Sequence, residues 1–329
     1  MNKLMKFQHL ISVTLTVCFL SLFLSCGKDS TAEEVVKEPE KPKEEEGINP
    51  VTPTPIDVTE LIKTKSNQVK SVISTQTQTL EEGISVTTLK YINTADKNMS
   101  ISVLVADFSY KHINAQALNP YNSDEKRFQV LPDIAKANEE PGTKIWAAVN
   151  GDYFSWSNME TTGPFIYDGK VRKPNPSGST RPAFGITRTG LPVFLNAPTG
   201  QSNIYNYGDN LLRHLVGGNQ WFIYNGKLMT INDTTVEPRS SIGMRDDKKV
   251  IAIVVDGRNP THSNGMSFVQ LQSVYNALGA KFAFNLDGGH SSIMVARQPS
   301  SAVWNTVNVP SESNPYRAIA NGIGFISTK

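Results

Sequence analysis

Val250 to Val255 reads Val-Ile-Ala-Ile-Val-Val and stops on Asp256-Gly257-Arg258. A continuous apolar, largely β-branched run of that length predicts a strand. A polar loop to Gly265 leads into Ser267-Phe268-Val269-Gln270. That is a capping box, in which the Ser and Gln side chains satisfy free amides at a helix start. Leu271, Val274, Tyr275 and Leu278 then fall at helical spacing, and Gly279 can close the helix in the left-handed conformation. A second strand, Lys281 to Leu286, follows at once. Strand, helix and strand of these lengths predict a parallel crossover. Parallel strands would bring Asp256 and Asp287 to one sheet edge, the edge where open α/β sheets bind ligands.

The second strand has its own signature. Ala283-Phe284-Asn285-Leu286 climbs to Asp287, breaks at Gly288-Gly289, and passes His290-Ser291-Ser292 before Ile293-Met294-Val295 resumes the apolar pattern. These polar types pack poorly in strands and suit turns or ligand contact. A plain hairpin turn accounts for the glycines. It does not account for an Asp, a His and two Ser crowded beside them.

Elsewhere the chain reads as short elements separated by turns. Ile56 to Val69 begins the folded part, Ile84 to Tyr91 alternates as a strand, and Met99 to Phe108 reads as another. Phe128 to Ala137 has helical spacing, with Val130, Leu131, Ile134 and Ala135 on one face, and Pro141-Gly142 stops it. Lys144 to Val149 reads as a buried strand that delivers Asn150-Gly151-Asp152-Tyr153-Phe154 to a rim. The stretch Phe165 to Tyr224 is dense in Gly, Pro, Asn and Thr, and Ile319 to Ile326 reads as a last strand. The fold class expected is α+β: one mixed-sheet domain rich in short strands, with a few packed helices and the strand–helix–strand unit at 249–287.

The ends carry a different kind of information. Lys3 and Lys6 precede an apolar segment from about Leu10 to Leu24, too short and wrongly flanked for a stable membrane span. Phe23-Leu24-Ser25-Cys26 resembles a bacterial lipoprotein processing box, which makes Cys26 the candidate lipidation site. Residues 1–25 are thus expected to be a signal peptide. Residues 26–55 alternate Glu and Lys with Pro39, Pro42, Pro50, Pro53 and Pro55, and offer too little apolar surface to offset ordering entropy, so they read as a disordered tether. Residues 56–329 remain for the folded domain. With two cysteines in the chain, Cys18 in the signal and Cys26 under lipid, no disulfide is expected and the domain must stand on its core. A formal charge of +2, without a basic patch interleaved with aromatics, argues against nucleic acid.

The rim residues suggest a chemistry. Two carboxylates a short distance apart are what glycosyl transfer to water uses. Guanidinium forks match phosphate oxygens, and Arg239, Arg258 and Arg317 each stand at a strand end. The amides of Gly288-Gly289 can form an anion-binding nest. Together these features point to a substrate that is both a sugar and a phosphate ester. His112, His214 and His262 have no metal-ligand spacing and read as structural, and no cofactor or metal is called for.

The motifs also match a family pattern. In order, Asn150-Gly151-Asp152-Tyr153-Phe154, Arg239-Ser240-Ser241-Ile242-Gly243, Val255-Asp256-Gly257-Arg258, Leu278-Gly279-Ala280 and Asn285-Leu286-Asp287-Gly288-Gly289-His290-Ser291-Ser292 resemble the phosphodiester glycosidase domain, from about Ser85 to the C-terminus. The resemblance implies hydrolysis of a sugar-1-phosphodiester at the anomeric C–O bond. It carries polar site roles onto Asn150, Asp152, Arg239, Asp256, Arg258, Asp287 and Ser291. Asp152 and His290 stand where the pattern commonly has further glycines, so sugar identity does not transfer. The expected catalytic groups are Asp287, Asp256 and His290. Asn150, Asp152, Arg239, Arg258, Gly288, Gly289, Ser291 and Arg317 are expected to bind substrate or phosphate. The partners expected are a phosphoglycan or other sugar-1-phosphodiester and, through the lipid, a membrane, with the protein held in the cell envelope at the outer membrane. Two other readings stay open. One is a non-catalytic glycan-binding lipoprotein using Trp146, Trp156, Trp221 and Trp304 as stacking platforms. The other is a metal-dependent phosphodiesterase.

Overall fold

Why Val250–Val255 has no polar position is visible in its surroundings. In a computed structural model, which describes residues 55–197, 211–299, 301–312 and 315–328, strand β14 (Lys249–Val255) is buried along its whole length between two neighbours. Ile251, Ile253 and Val255 face one apolar layer, and Val250, Ala252 and Val254 face another. Both sides of the strand are core, so the period of two is invisible in its hydropathy. Each of the Val and Ile side chains stabilises the fold by about 1.5–3 kcal/mol relative to an exposed one.

The first layer is made by two helices, α1 (Val58–Lys65) and α3 (Phe268–Ala277). The predicted capping box is present in full: the Ser267 hydroxyl accepts from the Gln270 amide, and the Gln270 side chain accepts from the Ser267 amide. Phe268, Leu271, Val274, Tyr275 and Leu278 of this segment enter the core. Helix α2 (Leu131–Ala137) covers a different sheet, through Leu131, Ile134 and Ala135.

The strands form three sheets. In the eight-stranded sheet β1 (Val69–Glu81), β2 (Ile84–Asn93), β3 (Asn98–Asp107), β14, β13 (Arg239–Arg245), β15 (Ala280–Asn285), β11 (Trp221–Tyr224) and β12 (Lys227–Leu228) lie side by side in that order. A five-stranded sheet has β17 (Trp304–Thr306), β16 (Met294–Arg297), β5 (Thr143–Asn150), β18 (Gly322–Thr328) and β4 (Ile113–Leu118). The other five-stranded sheet has β7 (Lys170–Lys173), β6 (Phe165–Tyr167), β10 (Leu212–Gly217), β8 (Ala183–Thr187) and β9 (Pro192–Leu195). The inner face of the large sheet, with Ile242, Val254 and Phe284, shares one apolar cluster with Trp146 and Val149 of β5 and with Phe165 and Phe184 of the third sheet.

Two expectations are corrected. The sheet is not mixed: among the described residues every strand pairing is antiparallel. The crossover strands β14 and β15 do run in the same direction, but they are not neighbours. Strand β13 lies between them, antiparallel to both, with Arg239 opposite Val255 and Ser241 opposite Asn285. A local pattern sets direction and leaves open which strand fills the gap. The consequence anticipated for the rim survives: the ends of β14 and β15 share an edge, and the start of β13 with Arg239 joins them. The hairpin alternative for Asp287-Gly288-Gly289 fails, because β15 and β16 belong to different sheets. Residues 286–293 are the crossing from one sheet to the other. The signal peptide, the tether to residue 54 and Cys26 lie outside the described residues.

Candidate active site

The crossing after β15 is pinned to the end of β5. The Asp287 amide donates to the Gly151 carbonyl at 2.9 Å, and the Asn150 side-chain amide donates to the Asp287 carbonyl at 2.7 Å. Asn150 is itself buried, and its carbonyl oxygen accepts from the Ser240 hydroxyl at 2.7 Å and the Ile293 amide at 3.2 Å. One amide side chain therefore ties together the ends of β5, β13 and the crossing. On the far side the Gly289 amide donates to the Pro238 carbonyl at 2.8 Å. A Cβ at Gly288 would stand 2.9 Å from that same carbonyl oxygen, which explains the glycine there.

Asp287 thus sits where two sheets meet. Its carboxyl is held above the usual range, at about 6, chiefly by burial. The Ser291 hydroxyl and the Gly288 amide pull it down, the Asp152 carboxylate pushes it up, and Arg317 pulls it down. Asp152 is itself enclosed. It accepts from the Gly163 amide at 2.5 Å, the Tyr153 amide at 2.8 Å and the Arg181 guanidinium at 2.7 Å. Burial still raises it to about 6, against the opposing charge of Arg181.

Asp256 behaves differently. One of its oxygens accepts from the Ser100 hydroxyl at 2.9 Å and lies 2.8 Å from His262 Nε2. The other accepts from the Asn308 side chain at 3.0 Å and the Val309 amide at 2.9 Å. Its backbone reaches the shared rim, but the carboxylate is buried and has two partners on each oxygen. That leaves it no edge for a substrate, so the expected pair Asp256 and Asp287 does not face one cleft.

The cations divide in the same way. Arg239 is buried, donates to the Met266 carbonyl at 3.0 Å and to Thr235, and lies 4.0 Å over the Phe268 ring. Burial lowers its pKa, and its role is largely spent on the fold. Arg258 adopts φ of 59°, donates through Nε to Glu237 at 2.7 Å, and places Nη2 against Gly289. Arg317 pairs through Nε with Glu312 at 3.3 Å. His290 shares that carboxylate at 3.5 Å and is partly exposed. Arg258 keeps the far edge of its guanidinium fork beside the Asp287 turn at Gly289, and the charge of Arg317 is felt at the Asp287 carboxyl.

Sequence reading assigned no role to Tyr153, Arg181, Asn285, Ser100 or Asn308, and it read His262, a partner of Asp256, as structural. The Tyr153 hydroxyl accepts from the Asn285 side chain at 2.9 Å, which leaves its own proton to donate. Burial and the nearby Asp287 charge raise this phenol to about 12. Its place in Asn-Gly-Asp-Tyr-Phe was the available signal. Arg181 had none, because it comes from a different sheet region in a turn-rich stretch. Among the described residues no group of three or more His, Cys, Asp or Glu side chains converges to hold a metal ion.

Comparison with known proteins places this arrangement. A family model described as phosphodiester glycosidase matches residues 143–326, more than half of the chain. The catalytic domain of zebrafish N-acetylglucosamine-1-phosphodiester α-N-acetylglucosaminidase, described as auto-inhibited by its pro-peptide, superposes with a TM-score of 0.57 at 19% identity, over 77% of this chain and 88% of that one. A hypothetical protein from Synechocystis gives 0.56 at 12%, over 77% and 64%. A putative exported protein from Burkholderia pseudomallei gives 0.53 at 13%, over 70% and 74%. No curated protein matches the chain.

Proposed function

The chain belongs to the phosphodiester glycosidase family, and from that premise we propose that it hydrolyses a sugar-1-phosphodiester at the anomeric C–O bond, with Asp287 as the working carboxylate. The observation that carries this reading is the placement of Asp287: half-buried, held at about 6, and flanked by Arg258 and Arg317. N-acetylglucosamine is the first sugar to test, because the zebrafish relative is named for it.

In this reading the free edges of Arg258 and Arg317 hold the phosphodiester oxygens. Ionised Asp287 either takes a proton from the attacking water or attacks the anomeric carbon itself, in which case water afterwards cleaves the glycosyl–Asp287 ester and restores the carboxylate. The new bond forms at that carbon, the C–O bond to phosphate breaks, and the electron pair leaves with the phosphate. Phosphate is a good leaving group, so a strong general acid is not needed. The Tyr153 hydroxyl and His290 remain as proton donors at the edge. Asn150, Asp152 with Arg181, Arg239 and Asp256 act as positioning residues, each holding a strand end or loop.

Hydrolysis of an α-N-acetylglucosamine-1-phosphodiester in water enriched in heavy oxygen, with and without EDTA, tests the reading. Label in the released sugar, unaffected by EDTA, is expected. Label in the phosphate would convert the proposal into a phosphodiesterase. The carboxyl at about 6 also sets a pH limb: kcat/KM should fall about tenfold per unit below pH 6, as Asp287 takes up its proton.

The lipid anchor at Cys26 and a place at the outer membrane remain part of the proposal, resting on Phe23-Leu24-Ser25-Cys26. Among the described residues no helix is long and apolar enough to cross a membrane. Radiolabelled palmitate should enter the protein, and Cys26→Ala should abolish that labelling.

A further inference from the structure

Strand β1 is the long open edge of this fold. It runs for thirteen residues at the end of the eight-stranded sheet, paired with β2. The other sheet edges among the described residues, at β12, β17, β4, β7 and β9, are two to six residues long. Short edges are one way in which soluble proteins avoid pairing with a neighbour; charges, proline and bulges are others. From Ser71 to Leu80 the chain has no charge, no proline and no glycine. The pairing with β2 is irregular before Ser74 and after Thr79, and unbroken between them. Ser-Thr-Gln-Thr-Gln-Thr therefore presents a regular edge with backbone groups left to bond.

The edge is open on both faces and held in shape. Every residue from Lys70 to Thr79 is exposed, Ile73 at 57%. Thr75, Thr77 and Thr79 line a groove beside the start of α1, and Gln76 and Gln78 line another beside β16 and β17. The Thr75 and Thr59 hydroxyls share a hydrogen bond of 2.7 Å, and those of Thr77 and Thr87 share one of 2.9 Å. A strand already fixed in this way loses little conformational entropy when it pairs.

We propose that β1 pairs edge to edge with β1 of a second copy of this chain, antiparallel about a two-fold axis at Gln76, so that two eight-stranded sheets become one. The charges set the direction. Lys70, held at the surface by Asp96, stands at one end of the strand, and Glu81 and Glu82 stand at the other. Antiparallel pairing brings the lysine of each copy to the carboxylates of its partner, whereas parallel pairing sets like beside like. An axis at Gln76 also sets Thr75 opposite Thr77 and Gln76 opposite itself, and a glutamine amide carries both donor and acceptor. The chain's own N-terminal residues suit the edge less well, because Pro39, Pro42, Pro50, Pro53 and Pro55 have no N–H to give it. The same patch serves both copies, so the assembly closes at two. The pairing needs nothing from the hydrolytic reading and stands or falls apart from it.

Sedimentation of the full chain in detergent tests the pairing. A monomer–dimer equilibrium with a Kd on the order of 10 µM is expected, because a strand pair buries little area. Gln76→Lys and Gln76→Glu each place like charges on the axis, and each should self-associate at least about tenfold more weakly. An equimolar mixture of the two variants should restore the dimer. Gln76→Cys should form an interchain disulfide beyond any formed by the unsubstituted chain, whose cysteines are Cys18 and Cys26. Unchanged circular dichroism separates loss of pairing from loss of fold. A wild type that stays monomeric at about 100 µM would overturn the proposal. So would a dimer that survives both charge variants, since it would use another surface. A monomer whose β1 amides nonetheless resist hydrogen exchange would overturn it too, by giving the edge to another segment of the same chain.

Discussion

Asp287→Asn is expected to lower kcat a thousandfold or more while leaving the fold intact and raising the melting temperature at neutral pH. The loss follows from removing the working carboxylate of the proposed reaction, since a general base or nucleophile contributes orders of magnitude to the rate. The retained fold follows from how residue 287 is held. Its amide and carbonyl bond to Gly151 and Asn150, and neither bond uses the carboxylate. The gain in stability follows from the raised pKa. A carboxyl at about 6 in the folded state and 3.8 otherwise binds its proton more tightly when folded. Its contribution is therefore most favourable below 3.8 and is lost as pH rises through 6. The amide escapes that loss, by about 1–2 kcal/mol at pH 7 once partial solvent access is allowed for. In a domain of this size that is about 2–8 °C. Below pH 4 the two proteins should melt together. Turnover within tenfold of wild type would remove Asp287 from the mechanism.

Arg181→Met should be the most damaging single change to stability around the site. Asp152 has no exposed side-chain surface, and among the described residues Arg181 is the cation paired with it. Taking one partner from a buried pair leaves an uncompensated charge and costs about 3–5 kcal/mol. The cost should shrink as pH falls, because the variant's Asp152 carboxyl, already at about 6 with its partner present, titrates higher still without it. Chemical denaturation at pH 8 and pH 5 measures this directly. Asp152→Asn combined with Arg181→Met should recover most of the loss. The double variant carries a second signature. Asp152 pushes the Asp287 carboxyl up, so its neutralisation should move the acid limb of kcat/KM to lower pH. A double variant as unstable as Arg181→Met would show that Arg181 acts through its packing and its bond to Asn219 and not through charge.

Much of the candidate site was written in local pattern. Apolar runs ending on Asn150, Asp256 and Asp287 mark strand ends, because a buried strand cannot keep such groups in its interior. Glycine at 288 marks a backbone that must pass close to Pro238, and glycine at 289 a residue with positive φ beside Arg258. The helix Phe268–Ala277 was legible down to its cap, since a capping box is contained within four residues. Strand β1 was not legible as a thirteen-residue element, because most of it is exposed at a sheet edge and its sequence has little alternation to detect.

What the chain determined by itself is the strand–helix–strand unit at 249–287, several further strands, and the polar groups they deliver to a rim. Those follow from interactions within a few residues of one another, where propensity, capping and hydropathy act. What only the tertiary structure decided is which groups face each other. Strand β13 slipped between β14 and β15, so the sheet is antiparallel and Arg239 joins their shared edge. Asp256 and Asp287 look alike in sequence, each an Asp-Gly after an apolar strand. Ser100, Asn308 and Val309 arrive from distant segments, and His262 from the loop that follows, to occupy the first. The crossing between two sheets leaves the second half-buried, with its carboxyl raised. Burial and partner choice are set by long-range contacts, and those separate a carboxylate that holds a loop from one that can act on a substrate.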